Sequence, residues 1–564
     1  MLTISSSRAT YTGGSSPDGE QNRKQTTYTA RLNRLSETPR RPELYSRVQY
    51  QFLTPYLSTP PGYTQQTRSG GSAHAQWCTR PNSDAFIHVV VHSFSGGAQL
   101  ERRDFNLDDG LTRFIDHPQS EANVDQIIFV RGSLSSKWIE ALGTKYKIDP
   151  EFFRRHLRYL PGRDHSDLPS LPSANTDIMT LKLASLYTRT YTLAPEQIER
   201  SRRKDSDVAR RNQKSISSNM ACGETVIRKF STLSDRLLSV EHEISIFTRN
   251  RKSGGRIAVV LLDNGLEMNE ENGPPCFGRQ DSPIPEASAT GISPIPIIVP
   301  RPPTLNINVV HPEVPLDYNS TSPNSISHVA SLLPFYIGMS INIPTTPPDV
   351  LSLICEVFRL VAGSECQFLN RLRCLVQDLE PNPTDGEDID LATNTLRYII
   401  ELLEDHRQCL KQNIAFLKAR GLGPLGGLTP PTSSSSTQTQ QGHSPDDLAT
   451  ILIDFVELLG RAESLKELCK ETLVLILNGA MLRESQKAIQ RADDQKRLTV
   501  LAYLFLPISL VFSLFGMNVR EFGTGSQSIW FPFVVLAPVG GISWILFRPQ
   551  NIQQFLTVGR WFRK

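Results

Sequence analysis

Two apolar stretches near the C-terminal end constrain the architecture of this chain most strongly. Leu498 to Phe515 contains no charged residue, and neither does Ile529 to Phe547. A helix needs about 20 mostly apolar residues to cross a hydrocarbon core of roughly 30 Å. Each stretch is therefore predicted to be a transmembrane helix. The protein is then an integral, multi-pass protein of the lipid bilayer.

The charges that flank the two spans predict their orientation. Basic residues precede the first span and follow the second: Arg491, Lys496, Arg497, Arg548, Arg560, Arg563 and Lys564. The short loop between the spans holds one Arg520 beside one Glu521. Because basic flanks stay on the cytoplasmic side, both termini are predicted to be cytoplasmic. The plasma membrane is the first expectation. The mitochondrial inner membrane is the alternative, because Met1 to Arg41 has the composition of a transit peptide.

Composition excludes several classes of function. The 60 basic and 57 acidic residues nearly balance, so no nucleic-acid partner is predicted. The eight cysteines are scattered without any CxxC spacing, which favours reduced thiols over a disulfide frame or a zinc site. The chain shows no nucleophile triad, no phosphate-binding glycine loop and no HExxH motif. We expect neither an enzyme nor a bound cofactor.

The predicted fold is an α+β cytosolic domain, a mixed α/β sandwich, followed by a helical C-terminal half. Residues 1–80 are predicted to be a disordered tail, and 81–270 the α/β domain. Short β-branched runs indicate buried strands at Ala85 to Val91, Gln126 to Val130, Ile178 to Leu186, Ile244 to Thr248 and Ile257 to Leu262. Helices are predicted at Ser136 to Tyr146 and, after the capping pair Asp149-Pro150, at Glu151 to Leu157.

Two polar stretches interrupt this domain. Glu199 to Lys214 resembles a nuclear-localisation or lipid-contacting patch, but its interleaved Asp205 and Asp207 favour a solvated loop. The Pro- and Ser-rich segment 271–348 is predicted to be a disordered insertion.

The remainder of the chain is predicted to be helical around one flexible linker. The predicted segments are two amphipathic helices (349–420), a linker (421–443), a stalk helix (444–497), the first span (498–515), an outer loop (516–528), the second span (529–547) and a basic tail (548–564). The stalk has near-heptad apolar spacing typical of a coiled coil. It continues into the first span as one helix of some 70 residues, roughly 105 Å long. Such a helix requires partners, either the two preceding helices or copies of itself.

The first span carries polar and helix-breaking residues. Pro507 lies in its interior, Ser509 and Ser513 follow, and the span ends at Gly516-Met517-Asn518. Such residues are tolerated in ordinary membrane helices, and Gly-x-Asn is a common helix end. The alternative is that several copies of this helix line a pore, with an Asn ring at its mouth.

This combination resembles the CorA-type magnesium transporters and their zinc-transporting ZntB relatives. The resemblance rests on Leu498-Thr499 through Pro507 and on Phe515-Gly516-Met517-Asn518, followed by a short loop and a second span. Gly-Met-Asn at the end of the first of two C-terminal spans is the signature of that family. The order of elements from Gln126 to Lys564 also matches the plan of the family.

The resemblance implies a homopentamer that conducts divalent metal ions, magnesium first, through a pore lined by the first span. Carried over by position from the family, Asn518 would bind the incoming hydrated ion and Gly516 would permit the turn. Leu498 and Leu506 would form the hydrophobic constriction. The wall between them and the mouth would carry Ser509 and Ser513.

The outer loop departs from the pattern of the family. Glu521 is its only acidic residue, and Arg520 stands where a positive charge opposes incoming cations. Which cation passes (magnesium, zinc, cobalt or nickel) therefore stays open. A non-conducting, membrane-anchored scaffold that keeps the fold is the competing hypothesis.

One further cluster has two interpretations. Glu401, Glu404, Asp405 and His406 together could bind a divalent ion. Their spacing on a predicted helix favours a solvated face instead.

Overall fold

The computed structural model describes residues 27–36, 50, 53–58, 86–95, 99–107, 109–117, 124–160, 177–219, 222–251, 254–266, 292–299, 329–336, 354–379, 386–419, 446–516, 528 and 530–546. The chain forms two compact units. Unit 1 comprises Met1–Glu380 and Leu391–Lys470, and unit 2 comprises Pro381–Asp390 and Glu471–Lys564.

Within the described residues, unit 1 contains one mixed sheet. Its strands are β1 (Ile87–Ser95), β2 (Gln99–Asn106), β3 (Asp125–Arg131), β4 (Ile178–Arg189), β5 (Lys229–Thr232), β6 (Leu237–Asn250), β7 (Arg256–Leu262) and β8 (Ile292–Pro294). The strand order is β2-β1-β3-β7-β6-β4-β8, and β5 pairs with β6. Among these strands, β3 and β7 pair in parallel, with Ile127 opposite Ala258, and the other pairs are antiparallel. The five predicted strands are present as β1, β3, β4, β6 and β7. Of these, β1 begins at Ile87 and extends beyond Val91, Ala85 lies outside the described residues, and β6 begins earlier than the apolar run indicated.

The described helices bear out the helical character of the C-terminal half. They are α1 (Tyr28–Ser36), α2 (Leu53–Ser58), α3 (Gly110–Asp116), α4 (Ser136–Tyr146), α5 (Pro150–His156), α6 (Pro195–Asn219), α7 (Val329–Tyr336), α8 (Cys355–Asp378), α9 (Gly386–Ala419), α10 (Asp446–Gly516) and α11 (Phe531–Leu546). The predicted cap of α5 is present, since the Asp149 carboxylate accepts a hydrogen bond from Glu151 N at 2.9 Å. None of the six described cysteines forms a disulfide.

The first 80 residues contain helices where the sequence predicted only a disordered tail. Tyr28 and Leu32 of α1 and Leu53 of α2 are buried in the main hydrophobic core. The backbone N–H groups of Tyr28 and Thr29 donate to the Glu140 carboxylate of α4 at 2.7 and 2.8 Å. Helices this short show little periodicity in sequence, and the contacts that order them come from α4.

Residues 199–214 are helical, contrary to the solvated loop that the charges predicted. They belong to α6, whose Val208 and Ala209 pack on Phe230, Leu238 and Val240 of the sheet. Because apolar residues are sparse along α6, the sequence shows no clear 3.6-residue hydrophobic period there. Within the predicted disordered insertion 271–348, β8 pairs with β4 and α7 is a helix; the other residues there lie outside the described part.

The last helices carry the segments predicted to form the stalk and the spans. The two amphipathic helices correspond to α8 and α9. A single helix of 71 residues, α10, runs from the predicted stalk to the end of the first span. Its residues up to Lys470 belong to unit 1, and those from Glu471 belong to unit 2. The linker 421–443 lies outside the described residues, and so does the tail 548–564.

Candidate functional site

The end of α10 is exposed over most of its circumference, although its side chains are apolar. Leu498 is 65 % exposed, Leu506 67 % and Leu514 66 %. Leaving such side chains in water costs about 1.5–3 kcal/mol each relative to burial. One chain therefore leaves this segment without the apolar surroundings that it requires.

The four predicted pore-lining side chains share one face of α10. With about 100° per residue, Leu498, Leu506, Ser509, Ser513 and Gly516 fall within an arc of about 80°. Leu498, Leu506, Ser509 and Ser513 are all exposed. The larger aromatic side chains lie outside this arc: Tyr503, Phe505 and Phe512. The face that the sequence assigned to a pore is thus the one with the small hydroxyl side chains.

The Gly-Met-Asn motif begins where α10 ends. Gly516 is the last residue of the helix. The predicted mouth residues Met517 and Asn518 lie outside the described residues, and so does Glu521 of the outer loop. Their roles stay predictions. The unsatisfied carbonyl groups at a helix C-terminus form the negative end of its dipole, a favourable place for a cation.

One described helix is long and apolar enough to cross a membrane, as judged by length and composition. It is the Leu448–Leu514 portion of α10. The apolar part of α11, Phe531–Ile542, is shorter, so its role as a second span stays a prediction. In unit 2, Phe512 of α10 and Phe533 of α11 make an edge-to-face contact with ring centroids 5.7 Å apart.

A buried ion cluster in unit 1 joins the sheet to α8 and α9. His406 of α9 lies with Nδ1 2.9 Å from Oε2 of Glu365 on α8. Its Nε2 lies 3.5 Å from Oε1 of Glu241 on β6, a distance that suits charge attraction better than a hydrogen bond. Lys182 of β4 approaches the other Glu241 oxygen at 3.6 Å. The Phe368 ring stacks on the imidazole with centroids 4.4 Å apart.

The two neighbouring carboxylates keep the imidazole of His406 protonated. Burial alone would lower the pKa of His406, but the negative charges of Glu365 and Glu241 outweigh burial and raise it to about 9. Burial would likewise raise the pKa of Glu241, but His406 and Lys182 lower it to about 2. At neutral pH the cluster therefore contains a buried imidazolium between two carboxylates.

The four side chains that the sequence offered as ligands for a divalent ion do not surround one shared site: Glu401, Glu404, Asp405 and His406. Glu404 pairs with Arg407 and Lys466, and Asp405 pairs with Lys229 at 2.6 Å. The predicted solvated face is therefore wrong for His406, which is buried. Within the described residues, no group of three or more His, Cys, Asp or Glu side chains is arranged to hold a metal ion.

A second buried ion network was not anticipated from the sequence. Arg228 donates from Nε and Nη2 to both carboxylate oxygens of Asp263, at 2.6 and 2.8 Å. Its guanidinium lies over the Tyr159 ring, 4.6 Å from the centroid. Burial would lower the pKa of Arg228, but Asp263 and Glu243 raise it further above its ordinary value. The sequence signal that could have found it is the position of the two acidic residues: Glu243 directly precedes the predicted strand Ile244 to Thr248, and Asp263 directly follows the predicted strand Ile257 to Leu262.

The C-terminal part of the chain matches a known family. Residues 352–548 match the family described as CorA-like Mg2+ transporter protein. The resemblance that the sequence indicated from Gly516-Met517-Asn518 is thereby confirmed for this part of the chain. No curated protein matches the sequence.

Two solved structures are similar over most of the chain. The full-length CmaX protein is 14 % identical with a TM-score of 0.33, covering 83 % of this chain and 98 % of its own. The CorA magnesium transporter from Methanocaldococcus jannaschii is 10 % identical with a TM-score of 0.35, covering 82 % of this chain and 98 % of its own. The resemblance to the CorA-like family rests on the match over residues 352–548.

Proposed function

We propose that the protein is a homo-oligomeric membrane channel for divalent cations and that copies of α10 line its pore. Magnesium is the cation that we expect it to conduct. The observation that carries the proposal is the face shared by Leu498, Leu506, Ser509 and Ser513, which ends at Gly516. The family match over residues 352–548 supports it.

Self-association is supported by the part of α10 that precedes the span in unit 2. Its large apolar side chains are exposed: Val474 at 54 %, Leu475 at 64 %, Met481 at 69 %, Leu482 at 66 % and Ile489 at 60 %. With 3.6 residues per turn they share an arc of about 120°. A stripe of this kind has to be covered by other apolar surface, and a second copy of the same helix provides a matching stripe. We expect a pentamer.

The chemistry of the pore follows from the properties of magnesium. Mg²⁺ sheds its water reluctantly, so amide and hydroxyl oxygens that accept hydrogen bonds from its hydration shell suit it better than direct ligands. Asn518 at the mouth and Ser509 and Ser513 along the wall supply such oxygens. The membrane potential would drive the ion with about 2.3 kcal/mol per charge per 100 mV, doubled for a divalent cation.

Three variants in proteoliposomes loaded with a magnesium-sensitive dye test this proposal. Ser513→Leu fills the polar face with a branched apolar side chain, and Asn518→Ala removes the amide from the mouth. Both are expected to reduce the initial rate of magnesium uptake at least about tenfold, the size of effect that 1.4 kcal/mol produces. Leu514→Ala, one position further on and outside the face, is the matched control and is expected to retain uptake.

Each outcome has a definite meaning. Equal uptake by Ser513→Leu and wild type would contradict the assignment of this face to the pore. No divalent flux from a correctly inserted wild-type oligomer would favour the scaffold hypothesis. A wild-type protein that is monomeric in detergent could not form the proposed pore.

A further inference from the structure

The exposed apolar stripe of α10 in unit 2 has an amide at its centre. Asn478 is exposed, and it lies near the middle of the arc of about 120° that the exposed apolar side chains share. On a helix, the surface neighbours of a residue are those three and four positions away in each direction. For Asn478 these four neighbours are all large, apolar and exposed, by 54, 64, 69 and 66 % respectively: Val474, Leu475, Met481 and Leu482. The amide is therefore surrounded by apolar surface on its own helix.

Any partner that covers this stripe also removes the amide of Asn478 from water. A buried amide without a hydrogen-bond partner is unfavourable. Lipid tails, or an apolar helix of another protein, would cover the four apolar side chains and leave the amide unpaired. A second copy of α10, parallel and in the same register, brings its own Asn478 to the same height. Because a side-chain amide both donates and accepts hydrogen bonds, the two Asn478 side chains can pair. The stripe therefore fits a second copy of this chain.

Copies in another arrangement do not offer this pairing. If one copy moves along the helix axis by three or four residues, an apolar side chain such as Met481 or Val474 lies opposite Asn478. If the number of copies changes, neighbouring helices meet at a different angle, which changes the distance between their amides. A polar residue in an otherwise apolar helix seam thereby specifies both the register and the number of helices, at a cost in stability.

We propose that Asn478 fixes the register and the number of copies in the assembled protein through amide hydrogen bonds between neighbouring copies. The apolar side chains of the stripe supply the attraction, and Asn478 disfavours the alternative assemblies. Copies of one membrane protein insert in the same orientation, so their α10 helices run parallel, as the pairing requires. The inference thus rests on the self-association of α10 in the proposed function, but not on ion conduction.

Native mass spectrometry of the full-length protein in detergent counts the copies directly. Wild type is expected to give a single stoichiometry. Asn478→Leu makes the centre of the stripe apolar, so this variant should stay assembled but distribute over at least two stoichiometries. Because a buried amide is replaced by an apolar side chain, its assemblies should also dissociate at a protein concentration at least about tenfold lower than those of wild type.

Gln490→Leu is the matched control. It also replaces an exposed amide of α10 with Leu, but Gln490 lies twelve residues further on and about 120° around the helix from Asn478, outside the stripe. This variant should keep the single stoichiometry of wild type and dissociate at a concentration within about twofold of it. Both positions are exposed in the single chain, so both variants should keep the circular dichroism spectrum of wild type.

Several results would overturn the inference. A single stoichiometry shared by Asn478→Leu and wild type would show that the amide does not select the assembly. Mixed stoichiometries in both variants would show that any added apolar side chain has this effect. A monomeric Asn478→Leu with a wild-type spectrum would show that the amide holds the copies together instead of selecting among assemblies.

The same measurements separate this inference from the proposed channel. A monomeric wild type would refute the self-association of α10 and this inference together. The expected change in Asn478→Leu, from a wild-type oligomer that passes no divalent cation, would refute the channel alone. Magnesium uptake by wild type, with the stoichiometry of Asn478→Leu unchanged, would refute this inference alone.

Discussion

Replacing His406 should loosen the attachment of α8 and α9 to the sheet, and the effect should depend on pH. In the variant His406→Gln, Glu365 and Glu241 stay buried without the imidazolium that neutralises them. Removing one partner of a buried ion pair costs about 3–5 kcal/mol, because the remaining charge lacks compensation. The amide of Gln can donate to one of the two carboxylates, so we expect the lower end of that range.

The pKa of His406 gives the direction and size of the pH effect. It rises from 6.5 to about 9 in the folded protein, and about 2.5 pKa units correspond to about 3 kcal/mol. Because the folded state binds this proton more tightly than the unfolded state, the stabilisation is fully present below pH 6.5. It decreases between pH 6.5 and 9 and is lost above pH 9.

Amide hydrogen exchange of the full-length protein measures this local attachment. At pH 6, amides of α9 around residue 406 should be about 100-fold better protected in wild type than in His406→Gln, after correction for intrinsic rates. At pH 9.5 the two proteins should be similarly protected. The neighbouring Asp405→Asn, which removes a surface pair worth at most about 1 kcal/mol, is the control. A wild-type to variant ratio that is the same at both pH values would show that the charge of His406 does not hold α9 in place.

Two further predictions concern the stability of unit 1. Leu32→Ala should cost about 2–5 kcal/mol through the cavity it leaves under α1, measured as a lower melting temperature of the full chain; an unchanged melting temperature would mean that α1 is not part of the core. Arg228→Met should destabilise by about 3–5 kcal/mol because it leaves Asp263 buried and unpaired, whereas the double variant Arg228→Met with Asp263→Leu should recover most of that loss. A double variant as unstable as the single one would show that the pair does not act as a unit.

Much of unit 1 could be predicted because its elements carry local signals. Local residues mark where the helices begin: Ser135 caps α4, and the pair Asp149-Pro150 begins α5. The β-branched runs of β3 and β7 indicate strands that are buried on both faces. In such segments propensity, periodicity and turn residues all favour the same structure.

The remaining elements depend on contacts that are distant in sequence. Asp205, which suggested a solvated loop, accepts a hydrogen bond from the hydroxyl of Tyr398, a residue far along the chain. The short helix α1 is ordered by Glu140 of α4. His406 was expected in solvent, and its burial depends on Glu365 and Glu241 from two other elements. Charged residues are the hardest to place from sequence, because burial with a partner and exposure to water leave the same pattern.

The residues of the candidate pore face could be predicted from the sequence because the geometry of a helix is regular. A continuous helix places residues three and four apart on one side, so Ser509 and Ser513 could be assigned to one face before the structure was known. That Leu498 and Leu506 are exposed in a single chain required the structure. The roles of Met517, Asn518 and Glu521, which lie outside the described residues, stay predictions.

Conduction of divalent cations by assembled copies of α10 can be measured as potential-driven magnesium uptake by the wild-type protein in liposomes, with a potassium diffusion potential that makes the interior negative. We predict uptake that increases with the imposed potential and that stops when the potential is collapsed. Uptake no greater than in protein-free liposomes, from protein shown to be inserted and oligomeric, would contradict conduction by α10.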